Sequence, residues 1–254
     1  MNPFAESVGT ALALILEADA ALLQVVGLSL GVSGSACLLA AGFGVAAGCA
    51  LAVLRFPGRR AVLVVLNTLL ALPSVVVGLV VYLLLSRSGP LGSWGLLFTP
   101  AAMVVAQTVL VVPVVAALTR EAMAASWKAN GEQLRSLGAS RGAAALLLLW
   151  DERLTMLTVL LAAFGRAVSE VGAVMIVGGN IAGHTRVMTT AIALETSKGD
   201  LPQALALGVV LLGVVLLLNA LIALVRWRSR RAGQGATAVR AMTGPGTPTG
   251  GALG

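Results

Sequence analysis

Apolar positions fall along this chain in long uncharged blocks, not in the alternation of a strand or the stripe of a soluble helix. The first block, 21–54, contains no Asp, Glu, Lys or Arg. About 20 helical residues cross a bilayer core, and lipid offers the backbone no hydrogen-bond partner, so runs of this kind are helices. Block 21–54 is too long for one upright crossing and too short for two with a turn. It predicts one tilted span, with a lead-in helix over 11–17 inside an extracytoplasmic segment 1–20. A second span covers 61–86, interrupted by Pro73, and a third covers 96–119, with Pro100 and Pro113 as start and kink points. A fourth covers 154–177. The fifth covers 201–225, where Asp200 and Pro202 have the character of a helix start. The expected fold class is all-α, a polytopic membrane helical bundle with five transmembrane helices in a domain over 21–231.

Between spans three and four, segment 121–153 is too long for a mere connection. Residues Glu132, Gln133, Leu134, Arg135, Ser136 and Leu137 suit a short helix, and Gly138 suits the left-handed position that ends it. Ser140 then suits the cap of a second helix whose apolar face runs from Ala143 to Trp150. This predicts a helical elbow standing out from the membrane; the plain alternative is a solvated loop anchored at the interface.

The fourth span contains FGRAVSEVGAVMIVGG, which places Arg166 and Glu170 among apolar residues. Each charge costs on the order of 3 kcal/mol at the bilayer midplane. Four positions apart on a helix, the two share one face and lower each other's cost. They are either a self-neutralising pair that fixes the span, or part of a face bordering a translocation path, or a gate contact made in one state. In the second case Arg166 offers positive potential to an anion and Glu170 holds its guanidinium. Gly165, Gly172, Ala163 and Ala173 sit where small residues let backbones approach. Beyond the span, Asn180, Thr185, Arg186, Thr189 and Thr190 offer hydrogen bonds to an anion or a docking protein, or serve as ordinary cap chemistry, around a short helical run over 187–196. Arg166, Glu170, Gly172, Asn180, Thr189 and Thr190 are the candidate pathway or gate residues.

Composition sharpens this picture. With 58% hydrophobic and 11% charged residues and a mean hydropathy of +0.98, the chain is no water-soluble domain. Its net charge of +7 reads as topology and not as nucleic-acid binding, since no basic helix carries base-reading residues. Arg55, Arg59 and Arg60 follow span one; Arg120, Lys128, Arg135, Arg141 and Arg153 lie between spans three and four; Arg226, Arg228, Arg230, Arg231 and Arg240 follow span five. The other loops hold only Arg87, Arg186 and Lys198. Cytoplasmic loops collect cations, so the N-terminus is expected outside and the C-terminus inside, followed by a disordered tail over 232–254. Cys37 and Cys49, roughly 18 Å apart along one helix, cannot form a disulfide. His184 is the single histidine, which argues against an imidazole metal site, and no metal or catalytic residue is expected. Neither lysine, Lys128 or Lys198, sits in a phosphate-cradling loop, so the chain is not expected to hydrolyse ATP.

GEQLRSLGASRG resembles the signature cytoplasmic loop of ABC importer permeases, in which a glycine follows an acidic residue by six positions, as Gly138 follows Glu132. Gln133 and Leu134 stand where that family usually has alanines, and WDER stands where many members have a Leu-Pro pair. LNTLLALPSVVVGLVVYLLLSRSGPLG, LLFTPAAMVVAQTVLVVPVVAALT and FGRAVSEVGAVMIVGGNIAGHTRVMTTAIALETSKGD are similar to the tungstate branch of the oxyanion importers, and the likeness covers 28–226. The resemblance implies a type I (MetI-like) permease fold in the prokaryotic plasma membrane. It also implies a homodimer among membrane lipid, two ATP-binding subunits that carry ATP and Mg, an extracytoplasmic tungstate-binding protein, and no cofactor on this chain. It further implies that Glu132, Gln133, Leu134, Leu137, Gly138, Ala139 and Ser140 couple to the ATPase. A molybdate or sulfate permease is the near alternative. A proton-coupled secondary transporter using Glu170, or a non-transporting scaffold, is the distant one.

Overall fold

The computed structural model describes residues 20–242 together with Val8, Gly9, Leu12, Ala13 and Leu16; most of the expected lead-in helix lies outside the described residues. Helix α1 (Ala20–Val53) is a single unbroken run of 34 residues. At about 50 Å it exceeds the ~30 Å hydrocarbon core, as the tilted-span expectation requires. It packs along α4 (Pro100–Ser136). What lets the two approach is a row of small residues four apart on α1: Ala36, Ala40, Gly44 and Gly48, all buried. A Cβ on Gly44 would sit 2.7 Å from Val115 Cβ, and one on Gly48 2.6 Å from the Ala116 carbonyl oxygen. In lipid, where apolar burial drives nothing, such close packing holds helices together.

Span two is broken. Helices α2 (Arg59–Ala71) and α3 (Ser74–Leu85) meet at 100°. Pro73 lacks a backbone N–H and pushes the residue before it out of the helical region; Leu72 is extended, with ψ 131°. Pro113 does not break its helix: α4 continues through it, with Pro113 buried. The start of α4 is as expected: the Thr99 hydroxyl accepts from the Ala102 N–H at 3.4 Å, and Pro100 occupies the first turn.

The end of α4 corrects the sequence reading. The residues expected as a separate short helix up to Leu137 are the last turns of α4 itself. No proline lies between Thr119 and Ser136, Ala, Glu, Lys and Gln there favour helix, and Gly131 is carried within it, buried against the Trp127 ring. At 37 residues α4 is longer than the roughly 20 that one crossing needs, and beyond Arg120 it stays packed, with Met123 and Ser126 buried.

After the elbow come α5 (Arg141–Asp151), α6 (Arg153–Val168) and α7 (Gly172–Gly178), the last two bent by 59°. Then follow α8 (Met188–Lys198) and α9 (Leu201–Met242). Asp200 caps α9, its carboxylate accepting from the Gln203 N–H at 3.2 Å. Helix α9 runs as far as Met242; of the tail expected to be disordered over 232–254, residues 243–254 lie outside the described residues. Among the described residues three helices are long and apolar enough to cross a membrane, and each bent pair counted as one span makes five. Exposed leucines and valines cover α3 and α9, for example Leu79, Leu83, Leu212 and Leu216, which is the surface a lipid-solvated protein presents.

Candidate functional site

Two sites stand out, one at each end of α4. At the elbow, α4 closes with the Gly138 N–H donating to the Arg135 carbonyl at 3.0 Å and the Ala139 N–H to the Leu134 carbonyl at 3.1 Å. That paired closure requires a left-handed residue, and Gly138 has φ 87°. Ser140 then starts α5, its hydroxyl accepting from the Ala143 N–H at 3.2 Å. The turn is therefore fixed by three consecutive residues, Gly138, Ala139 and Ser140. It carries an unusual surface: Leu137, at its tip, is 77% exposed, flanked by exposed Glu132, Gln133 and Ser136.

The second site is the break between α6 and α7. Arg166 and Glu170 pair as expected, Arg166 Nη1 donating to Glu170 Oε2 at 3.0 Å. The helix between them, however, ends at Val168, so the pair spans a break and not a continuous helical face. The Arg166 side chain is 51% exposed and that of Glu170 only 4%. Each polar group of Glu170 has a partner. Its Oε1 accepts from the Ala173 N–H at 3.3 Å and so caps α7; its own N–H donates to the Ala167 carbonyl at 3.1 Å; its carbonyl accepts from the Thr189 hydroxyl at 2.7 Å. Exposed Ala162, Arg166 and Ser169 line one stripe of α6. The break also meets the other bent pair: a Cβ on Gly172 would lie 2.9 Å from Ser74 Oγ, and one on Gly78 2.6 Å from Ala173 Cα. Two interrupted helices thus touch at their interruptions, the arrangement by which membrane proteins place backbone polar groups along a cavity.

No family model matches the chain. It is 43% identical over 218 residues to a probable anion ABC transporter permease protein of Haloferax volcanii, covering 84% of this chain and 93% of that one. It is 41% identical over 226 residues to the tungstate uptake system permease protein TupB of Peptoclostridium acidaminophilum, covering 87% and 97%. The sulfate transport system permease protein CysT of Escherichia coli is 30% identical over 171 residues, 65% of this chain and 62% of that one. This chain belongs to the permease family of anion ABC transporters. The permease is an integral membrane transport subunit, and ATP hydrolysis in such transporters is done by a separate ATPase.

Within the permease the remaining site residues are placed as follows. Gly172 and Ala173 are close-approach positions and Ala163 is fully buried, whereas Gly165 has open space where a Cβ would be. Asn180 has φ 50° and donates to the Thr190 carbonyl at 3.2 Å. Thr190 is fully buried, its hydroxyl accepting from the Val187 N–H at 3.1 Å to start α8. With Thr189 held on Glu170, these hydroxyls pin the backbone in this conformation. One residue escaped the sequence reading. Gln107, 3% exposed two turns into α4, donates from Nε2 to the Ala167 carbonyl at 3.0 Å, while its Oε1 is buried with no partner among the described residues. A lone amide in an apolar span was the available signal.

Proposed function

We propose that the permease carries tungstate, or a tetrahedral oxyanion of the same class, into the cell as one half of a twofold dimer. The observation that carries this reading is identity at 41% across 97% of the length of a tungstate uptake permease. The N-terminus lies outside and the C-terminus in the cytoplasm, as the distribution of arginines requires. The stripe of Ala162, Arg166 and Ser169 faces the path, which the second copy completes. Arg166 lends the anion positive potential, and Glu170, held at four points, keeps that guanidinium from collapsing onto the substrate site.

Coupling is mechanical. The elbow from Glu132 to Ser140 docks on the ATPase, with Leu137 as its apolar contact. Because α4 is unbroken between Gln107 and Ser136, a push at the elbow moves Gln107 as part of the same rod, and Gln107 is bonded to the α6 break. The orphaned Gln107 Oε1 is free to take a new partner when the break rearranges.

The test is uptake into proteoliposomes holding the permease, its ATPase and the extracytoplasmic binding protein. ATP-dependent accumulation of tungstate supports the reading. ATP-driven uptake of sulfate with no response to tungstate would move the substrate to the runner-up favoured by the likeness to CysT, and uptake driven by a pH gradient without ATPase would refute the mechanism.

A further inference from the structure

We propose that the groove enclosed by α1, α5 and α6 binds an anionic phospholipid, its headgroup on Arg153 and an acyl chain along the leucine wall. The groove has a volume of about 720 Å³ and is walled by Val45 of α1, Leu146, Leu149 and Trp150 of α5, and Arg153 and Leu157 of α6. Its size falls within the roughly 300–1,000 Å³ of small-molecule sites. It runs on, sharing Val45, Leu146 and Leu149, into a second hollow of about 460 Å³ along α1 that reaches Cys49. The shape is thus elongated, which suits a chain better than a compact metabolite.

Charge selects the occupant. Among the described residues lining the two hollows, Arg153 alone is charged. Its guanidinium lies 5.6 Å from the centre of the Trp150 ring and donates to the Trp150 carbonyl at 3.1 Å. Trp150 is itself 72% exposed. A tryptophan and an arginine at the mouth of an apolar groove are headgroup-level chemistry. Neither neighbouring carboxylate forms an ion pair with this cation: the ion pairs among the described residues are Arg166–Glu170 and Glu195–Lys198, Glu152 accepts the Thr155 hydroxyl at 2.7 Å, and Asp151 is outside the lining.

Helix geometry separates the groove from the dimer face. Leu157 and Arg166 are nine positions apart within α6, as are Arg153 and Ala162; at 3.6 residues per turn that is two and a half turns, placing them on opposite sides of the helix. If the Arg166 stripe faces the second copy, the groove faces lipid. The inference therefore rests on the placement of the path, but not on which anion is carried. Its consequence is regulatory, because α5 follows the elbow directly and a seated lipid fixes one wall of the lever.

The experiment uses the complete transporter in nanodiscs, with Trp94, Trp127 and Trp227 of the permease replaced by Phe and the binding partners' tryptophan signal subtracted using a permease that also lacks Trp150. Quenching of Trp150 is compared between acyl-brominated phosphatidylglycerol and acyl-brominated phosphatidylcholine at equal mole fractions. The expected preference for the anionic lipid is about fivefold, the value of one surface cation. Arg153→Gln should abolish it, whereas Arg153→Lys and Arg141→Gln should retain it. Equal quenching by both lipids would make the groove ordinary lipid-facing surface, and no quenching by either would mean that protein, not lipid, covers it; either result overturns the proposal. None of these readouts depends on transport, so failure of the substrate assignment would leave them unchanged.

Discussion

Gly138 offers the sharpest test of the lever. Its φ is 87°, and a Cβ there would meet nothing within 4 Å, so any cost of substitution lies in the backbone and not in local crowding. An L-residue in the left-handed region costs about 1–2 kcal/mol. Asn tolerates that region and should cost well under 1 kcal/mol; Ala about 1; Val, β-branched, about 2–3. At 1.4 kcal/mol per tenfold, Val shifts the elbow away from its closed turn by roughly 30- to 150-fold. The two closing hydrogen bonds, from Gly138 and Ala139, are lost with it. Because the elbow stands outside the bundle, thermal unfolding of the permease in detergent should barely move. The assay is the ratio of oxyanion accumulated to ATP hydrolysed in proteoliposomes, expected to fall in the order Gly, Asn, Ala, Val while ATPase activity persists. Asn and Val are similar in size. If Gly138→Asn uncouples as severely as Gly138→Val, bulk against the ATPase and not turn geometry is the cause; full coupling with Val would end the lever argument.

Other outcomes follow from the same geometry. Gly48→Leu, forced against the Ala116 carbonyl, should lower stability by about 1–3 kcal/mol and depress the melting temperature in detergent, whereas Gly42→Leu, with open space around it, should melt like the parent. Arg166→Met keeps the side-chain stem but leaves the Glu170 carboxylate short of its cation, at a cost of about 1–3 kcal/mol; uptake should fall at least about tenfold, and native uptake would reduce the pair to a packing device. Gln107→Leu removes the bond to Ala167 together with the orphaned oxygen, so stability should stay within about 1 kcal/mol while uptake drops. An unchanged rate would cut Gln107 out of the coupling route. Single cysteines at Gln133 and His184, in a Cys37→Ser, Cys49→Ser background, should react with a membrane-impermeant thiol reagent from the cytoplasmic and external sides respectively; labelling from one side only contradicts the topology.

Hydropathy located the membrane segments well because it measures the one property lipid tests, transfer of side chains out of water. The expected first span, 21–54, is α1 to within one residue at each end, and the fifth begins where Asp200 caps it. The elbow was legible for a different reason. Gly138 and Ser140 act through their own stereochemistry and hydroxyl, so their roles do not depend on distant partners. Direction within a span is another matter, since transfer energy is blind to a bend. Pro73 and Pro113 are the same residue in equally apolar surroundings, yet one sits at a 100° break and the other inside a continuous helix. What separates them is tertiary: Pro113 is buried on the packed side of α4, while Pro73 adjoins Ser74, against which Gly172 packs from the other broken pair.

The Arg166–Glu170 site shows the same limit from inside. Their spacing was enough to predict the pair, because four residues reach across one turn whether or not the helix continues. The break that gives the pair its asymmetry was not predictable from spacing, since its partners come from elsewhere in the chain. The Ala167 carbonyl is held by Gln107, sixty positions earlier, and the Glu170 carbonyl by Thr189, nineteen positions later. A helix end fixed by two other helices can change only when one of them moves. Of the two, α8 is a short helix anchored in the bundle, its Met188 N–H donating to the Ser29 hydroxyl of α1 at 2.7 Å. Helix α4, by contrast, leaves the apolar zone and ends at the elbow. On the proposed coupling, input at the elbow would therefore reach the α6 break most directly through Gln107, along one uninterrupted helix.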